Sequence, residues 1–379
     1  MRISIKKIKQ IICFIVFVCF SFSFISCKND INQSSKTADN KIKSEKITNQ
    51  NNNNLVTAAQ EEEKRITTAD NQNLIQSKRN ESVKSSAVDK ITIGTFNLMF
   101  FGDDNKNNNH DFGEFGVENI RQPNSALLSE VSNLIKDIDI LALQEIENAA
   151  ALDLLINYLN KKYPQRNYRG FIDDKNSSCQ DIAIIWDTNK IYGWKGFKFD
   201  RTFNSLSGKN KNIKFARTPI YNYFEISGKK IIFATTHLKA KSTEDKKKRK
   251  KDDERRLLEA QRLLDWLEFQ KDMEKNEYII LAGDLNEEYA DNPNETTLRP
   301  LVLVDKLNSF IFLTKKFDKR KEYTNFSEKF KEVIDHIIIS EKMQKYYVKN
   351  SCRIIRHNNP DFLVSDHYPV LADFDFSKK

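Results

Sequence analysis

The stretch that decides the fold is Tyr278-Ile279-Ile280-Leu281-Ala282-Gly283-Asp284-Leu285-Asn286. Five residues, Tyr278 to Ala282, make a continuous apolar run, the mark of a strand buried on both faces. A glycine and two polar side chains follow at once. Buried polar groups in that position are costly unless they find partners, so Asp284 and Asn286 stand where a strand delivers them to a site.

The same arrangement recurs along the chain. Asn97 follows the run from Ile91 to Phe96, Gln144-Glu145 follow Ile138 to Leu143, and His237 follows Ile231 to Thr236. Asp335-His336 sit within Val333–Ile339, and Ser365-Asp366-His367 precede Tyr368–Phe374. Further strand-like runs are Asp181–Trp186, Ile220–Ile226 and Cys352–Arg356. Helical periodicity marks Asn124–Lys136, Ala149–Lys161 and Asp252–Lys271. In the last, Leu257, Leu258, Ala260, Leu263, Leu264 and Leu267 form a broad stripe. Many strands and few helices predict two packed sheets flanked by helices. Strand ends along one edge are where sites gather in α/β folds, because rigid strands hold the side chains and loops leave room for substrate.

Taken singly, each polar residue has a plain structural explanation. Asn97 suits a turn, Glu145 suits a helix start, and a lone His237 suits a hydrogen-bonded core. Arg217-Thr218-Pro219 carries either a structural arginine or a phosphate clamp. Together the residues supply carboxylates and an amide for a hard cation and two histidines for proton transfer.

In order, Thr95-Phe96-Asn97, Leu143-Gln144-Glu145, Thr236-His237-Leu238, Gly283-Asp284-Leu285-Asn286, Ile334-Asp335-His336 and Ser365-Asp366-His367 resemble the motifs of the endonuclease/exonuclease/phosphatase superfamily. Deoxyribonuclease I, exonuclease III-type enzymes, sphingomyelinases and inositol polyphosphate 5-phosphatases belong to it. The resemblance implies a four-layer α/β sandwich with two central mixed β-sheets flanked by helices. It implies that Glu145 binds a divalent metal, Mg²⁺ or Mn²⁺, with Asn97 and Asp366 near it, and it leaves room for a structural Ca²⁺. Asp284 would orient or deprotonate the attacking water, and Asn286 would hold a phosphate oxygen. His367, paired with Asp335, would act at the phosphate, His237 would bind phosphate or protonate the leaving oxygen, and Arg217 would contact phosphate. The chemistry implied is in-line attack on phosphorus.

His237 in Thr-His-Leu favours the deoxyribonuclease I and sphingomyelinase branches. Glu287-Glu288 stand where 5-phosphatases carry Tyr-Arg. Glu147 stands where deoxyribonuclease I has a DNA-contacting arginine, so that enzyme's minor-groove contacts are not carried over. The segment is more similar to exported bacterial nucleases of the superfamily. No exposed aromatic hairpin for entering a bilayer is evident; Phe100-Phe101 is a weak candidate. Lys246-Lys247-Lys248-Arg249-Lys250-Lys251, with Lys209, Lys211 and Lys214, could touch a phosphate backbone without reading bases. A solvated loop explains that run equally well, since Asp252, Asp253 and Glu254 follow it.

The remainder of the chain reads differently. Residues 1–26 have a positive start (Arg2, Lys6, Lys7, Lys9) and an apolar run from Ile11 to Ile25, short of the roughly 20 residues of a membrane span. The run ends in Phe24-Ile25-Ser26-Cys27, which resembles the lipobox of bacterial lipoproteins, with Phe where Leu is usual. Cys27 is thus the expected lipidation site; an anchor helix or ordinary signal cleavage is the alternative. Residues 27–89, rich in Asn, Gln, Ser, Thr, Lys and Glu and including the run Asn49 to Asn54, form the expected disordered tether. Residues 90–379 form the catalytic domain. The net charge of +9 falls to +5 once the four positive charges of the signal are removed. That excess fits a polyanionic substrate and equally a Lys-rich compositional bias. Cys179 and Cys352 stand in no metal-ligand spacing, and export would permit a disulfide between them.

The expected function is an exported, membrane-anchored, monomeric, metal-dependent endonuclease acting on DNA, with RNA as a further substrate. The first alternative is a phosphodiesterase of the same fold acting on sphingomyelin or inositol phosphates. The second is a non-enzymatic surface lipoprotein, against which the intact polar set speaks.

Overall fold

The computed structural model describes residues 89–103, 120–174, 180–194, 196–199, 214–241, 245–272, 275–326, 331–357 and 363–378. The signal, Cys27, the tether up to residue 88, Cys179, Lys209 and Lys211 lie outside the described residues.

The described residues build two sheets. In the first, β1 (Lys90–Phe101) pairs in parallel with β2 (Ile140–Ile146). β4 (Asp181–Asp187) and β3 (Tyr168–Ile172) continue beyond β2, while β13 (Val370–Asp375) and β12 (Arg353–Ile354) lie on the other side of β1. In the second, β8 (Lys229–His237) pairs in parallel with β9 (Ile279–Asp284). β11 (Asp335–Ser340) and β10 (Phe310–Phe312) flank β9. β7 (Ile220–Ile226) flanks β8 and carries the short strands β5 (Tyr192–Gly193) and β6 (Phe197–Lys198).

Parallel neighbours need a crossover, usually helical. α1 (Ser125–Ile135) links β1 to β2, and α3 (Lys246–Asp272) links β8 to β9. α2 (Ala149–Lys162) follows β2, and α4 (Arg299–Lys306) precedes β10. Asn124 and Asn148 cap α1 and α2, each side chain accepting from a backbone amide three residues on at 2.8 Å.

The strands are apolar throughout because both faces are buried. In β2, Ile140 and Ala142 face the other sheet, alongside Ile93, Phe233, Ile280 and Ile337. Leu141 and Leu143 point the opposite way, against Val131, Ile135 and Leu155 of the helices. Beyond the second sheet, Ala234, Leu281 and Ile338 pack on Leu263, Leu267 and Leu301. Helix, sheet, sheet, helix is the expected four-layer sandwich.

Several elements differ from the sequence reading, among them β5, β6 and α4, which no pattern marked. β3 and β10 are edge strands that pattern does not mark: Arg169 and Gly170 interrupt the apolar run of β3, and β10 has three residues. Lys246 to Lys251 are the first turns of α3. The leucine stripe of α3 buries Ala260, Leu263, Leu264 and Leu267 but leaves Leu257 and Leu258 exposed. In their place the helix buries Arg256 and Glu259, because this end covers loops rather than a sheet. Cys352 is buried and bonded to no other cysteine among the described residues, and burial pushes its thiol up to about 12. Among the described residues no helix is long and apolar enough to cross a membrane.

Candidate active site

The two parallel strand pairs end side by side. Asn97 is level with Gln144 in the first sheet, and Asp284 is level with both His237 and Asp335 in the second. Thr95 donates to Gln144 Oε1, and Gln144 Nε2 donates to Thr235 Oγ1, both at 3.1 Å, so a buried polar chain ties one sheet to the other just below this edge.

The backbone then turns each side chain into the cleft. Glu145 sits at a register shift between β2 and β4 with φ +61°, and Met99 and Phe100 have φ +52° and +53°. Non-glycine residues rarely adopt this left-handed conformation, and it concentrates at functional sites. The bulge aims Glu145 inward, where Oε2 accepts from the Phe100 amide at 3.1 Å. Asn286 is left-handed too, at φ +53°, and its amide donates to Asp284 Oδ1 at 2.8 Å. Gly283 is required for close packing: a Cβ there would run into the Thr236 carbonyl of the adjoining strand.

Asp284 Oδ2 is the hub. Asn97 Nδ2 donates to it at 3.0 Å, His237 Nε2 stands 3.5 Å away, and His367 Nε2 stands 3.9 Å away. Asn97 Nδ2 also donates to Glu145 Oε1 at 3.2 Å, and that oxygen is 3.9 Å from His237 Nε2. His367 Nδ1 donates to Asp335 Oδ2 at 2.8 Å, while its Nε2 is 3.0 Å from the Asn325 side-chain amide. Ser365 Oγ donates to the Asn97 carbonyl at 2.7 Å and accepts from the His367 amide at 3.0 Å, which binds the last segment to the first. Asn286 Nδ2 donates to the Leu238 carbonyl at 3.0 Å. Arg217 is buried, its guanidinium bound to Gln180 and to the same carbonyl. Its charge reaches the cluster through Glu145 and Asp284. Asp366 is half-buried and is felt electrostatically by Glu145 and His367.

Burial sets the protonation states. It raises Glu145, against the pull of Arg217, and pushes His237 well below its ordinary 6.5. Burial, followed by the Asp335 charge, raises Asp284 to about 7. Burial alone would lower His367, but Asp335, with Asp284 and Asp366, overrides it and raises the imidazole to about 10. A neutral histidine and a cationic one therefore flank the same carboxylate.

The donor set fits a divalent cation. Four carboxylates, Glu145, Asp284, Asp335 and Asp366, gather at the cluster; burial disfavours the charge of Glu145 and Asp284, and Asp335 Oδ1 is buried without a hydrogen-bond partner among the described residues. Asp284, Asp335 and His367 bring one ligand-capable atom each within 4.8 Å of one another. Asp335 Oδ2 and His367 Nδ1 of that trio already bond each other. The oxygen-rich side around Glu145, Asn97 and Asp366 suits a hard cation better.

Supporting residues that the sequence did not single out surround the cluster. Glu259 of α3, fully buried, accepts from the Ala216 amide at 2.7 Å and the Lys239 amide at 2.8 Å, gripping the neighbours of Arg217 and His237. Arg256, also fully buried, donates to the Lys239 carbonyl, Thr297 and Glu287. Arg121 donates to the Met99, Leu363 and Val364 carbonyls beside Asp366 and Glu145. The only sequence signal for Arg256 and Glu259 was charge on the side of α3 that the leucines share.

Two stacked mixed sheets with a carboxylate–histidine cluster at the ends of their parallel strands define an α/β-sandwich phosphoesterase. The chain belongs to the Endonuclease/Exonuclease/phosphatase family, whose sequence profile matches residues 94–367; hydrolases of this family act on phosphodiester bonds. Among solved structures, the human nocturnin catalytic domain with bound sulfate anion is similar at 17% identity and TM-score 0.50, over 76% of this chain and 94% of that one. An endonuclease/exonuclease/phosphatase from Bacteroides vulgatus is 18% identical, with TM-score 0.48, over 76% and 98%. D. rerio TDP2, solved with a single-strand DNA product, is 13% identical, with TM-score 0.48, over 76% and 99%. At these identities the likeness concerns the fold. None of the curated proteins matches the sequence.

Proposed function

We propose that the chain is an exported, divalent-metal-dependent endonuclease that hydrolyses the phosphodiester backbone of DNA, and of RNA where it is accessible. The observation that carries this reading is the convergence of Asn97, His237 and His367 on Asp284 Oδ2, at 3.0, 3.5 and 3.9 Å. Asp284, at about 7, is placed in the range where a carboxylate takes a proton from an attacking water. His367, kept cationic by Asp335, offsets charge on the phosphorane. His237 stays neutral, so its ring N–H donates a hydrogen bond to a phosphate oxygen, and the leaving oxygen takes its proton from solvent. Asn286 has one amide hydrogen on Leu238 and offers the other to a phosphate oxygen. Arg217, buried behind the carboxylates, balances their charge. Glu145, with Asn97 and Asp366, would hold Mg²⁺ or Mn²⁺, which when bound polarises a phosphoryl oxygen. Export rests on the signal-like residues 1–26, and anchoring rests on the lipobox-like approach to Cys27.

The test is incubation of the full chain with supercoiled plasmid DNA, RNA and sphingomyelin, in Mg²⁺, Mn²⁺ or EDTA. Metal-dependent nicking of DNA, lost in His237→Ala, is the expected result. Cleavage that survives EDTA, or sphingomyelin cut while nucleic acids are spared, overturns the reading.

A further inference from the structure

A cleft of about 490 Å³ lies between the first turns of α3 and the segment 293–299. Its wall includes Lys241, four residues beyond His237, and Glu287, next to Asn286. The cleft therefore adjoins the segments that follow His237 and Asn286.

Its lining carries four cations and four carboxylates, but their pairing is uneven. Asp253 is bound by Arg256. Glu287 is bound by Lys241 at 3.0 Å and Arg256 at 3.1 Å, and Glu295 accepts from Asn292 at 2.8 Å. Arg249, Lys250 and Arg299 also line the cleft; they are exposed, and their side chains bond to nothing among the described residues. Against these three cations stand two carboxylates without a cationic partner among the described residues, Glu254 and Glu295, so the unpaired charges of the cleft are net positive. They come from two separate segments and meet across one cleft, which distinguishes them from a run of solvated lysines on a helix.

We propose that this cleft is a phosphate-backbone subsite. Arg249, Lys250 and Arg299 hold the phosphates of the nucleic-acid strand beside the scissile bond, without reading its bases. The inference rests on the nuclease reading. A strand bound here is positioned by charge alone, so affinity should depend steeply on salt and little on sequence.

The experiment measures binding of the full chain to a labelled DNA duplex by fluorescence anisotropy in EDTA, across a salt series. The variants are Arg249→Ala/Lys250→Ala/Arg299→Ala and, on the same helix but outside the cleft, Lys246→Ala/Lys247→Ala. Melting curves establish that both are folded. Each phosphate contact contributes about 0.9 to the log–log salt slope on duplex DNA, so the triple variant should flatten it by about 2.7. The helix control should flatten it by clearly less. An unchanged slope in the triple variant, or equal flattening in the control, overturns the subsite. Hydrolysis of bis(p-nitrophenyl) phosphate by the parent protein is measured in parallel with Mg²⁺. If the parent cuts no diester, the underlying nuclease reading falls; if it does and the slope is unchanged, only the subsite falls.

Discussion

Replacing Asp335 by Asn probes the electrostatics of the cluster most directly. In the parent, His367 donates to Asp335 at 2.8 Å with both side chains buried. Burial favours the neutral imidazole, yet the Asp335 charge and hydrogen bond hold His367 up at about 10. Against an ordinary value near 6.5, that corresponds to on the order of 5 kcal/mol in favour of the imidazolium. Removing one partner of a buried pair costs about 3–5 kcal/mol. One effect opposes the loss: after burial, the Asp335 charge is the main cause raising Asp284, so its removal relieves that carboxylate. The net cost near pH 6 should therefore lie at the low end, about 3 kcal/mol.

The pH dependence carries the sign. A folded pKa above the unfolded one gives stability that is fully present below pH 6.5 and lost as pH rises through about 10. Asp284 acts in the same direction over a lower window, since its rise to about 7 makes stability fall between its unfolded value and there. The gap between parent and Asp335→Asn should accordingly be widest at the acid end of the range, about pH 5.5, and close near pH 10. Guanidinium unfolding of both proteins in EDTA from pH 5.5 to 10 measures it, with the His367 ring resonance followed in parallel. A gap constant across that range, or a parent His367 that titrates near 6.5, would refute the reasoning.

Two further substitutions test the frame around the cluster. In Gly283→Ala the new methyl meets the backbone of Thr236, which cannot rotate away, so β8 and β9 must part beside His237 and Asp284. A loss of about 3 kcal/mol and at least a ~100-fold fall in kcat are expected, read by melting and by plasmid nicking; a variant with parental Tm and kcat would show the strands have slack. In Glu259→Gln one acceptor facing a backbone amide becomes a donor, for a loss of about 1–3 kcal/mol. Because those amides adjoin Arg217 and His237, kcat at 25 °C should fall with Tm, and a lowered Tm with unchanged kcat would make Glu259 purely structural.

The chain's own pattern determined more of the site than of its support. Continuous apolar runs betray strands buried on both faces, and a polar residue at the end of such a run is conspicuous because burying it is costly. That logic exposed Asn97, Glu145, His237, Asp284 and Asn286, and the Asp335–His367 hydrogen bond joins two further segments chosen in the same way. Arg256 and Glu259 were illegible, since charged residues in a helix rich in Lys, Arg and Glu look like a solvated face. Only the packing of α3 onto the loops shows them to be buried. Asn325 likewise sits in a loop with no periodicity to mark it. Most of all, the sequence could order the segments but not place them: Asn97 and Asp284, 187 positions apart, lie 3.0 Å from each other. Side-chain chemistry is a local property of the chain, whereas this distance exists only because two sheets pack face to face with their parallel strand pairs ending at a common edge.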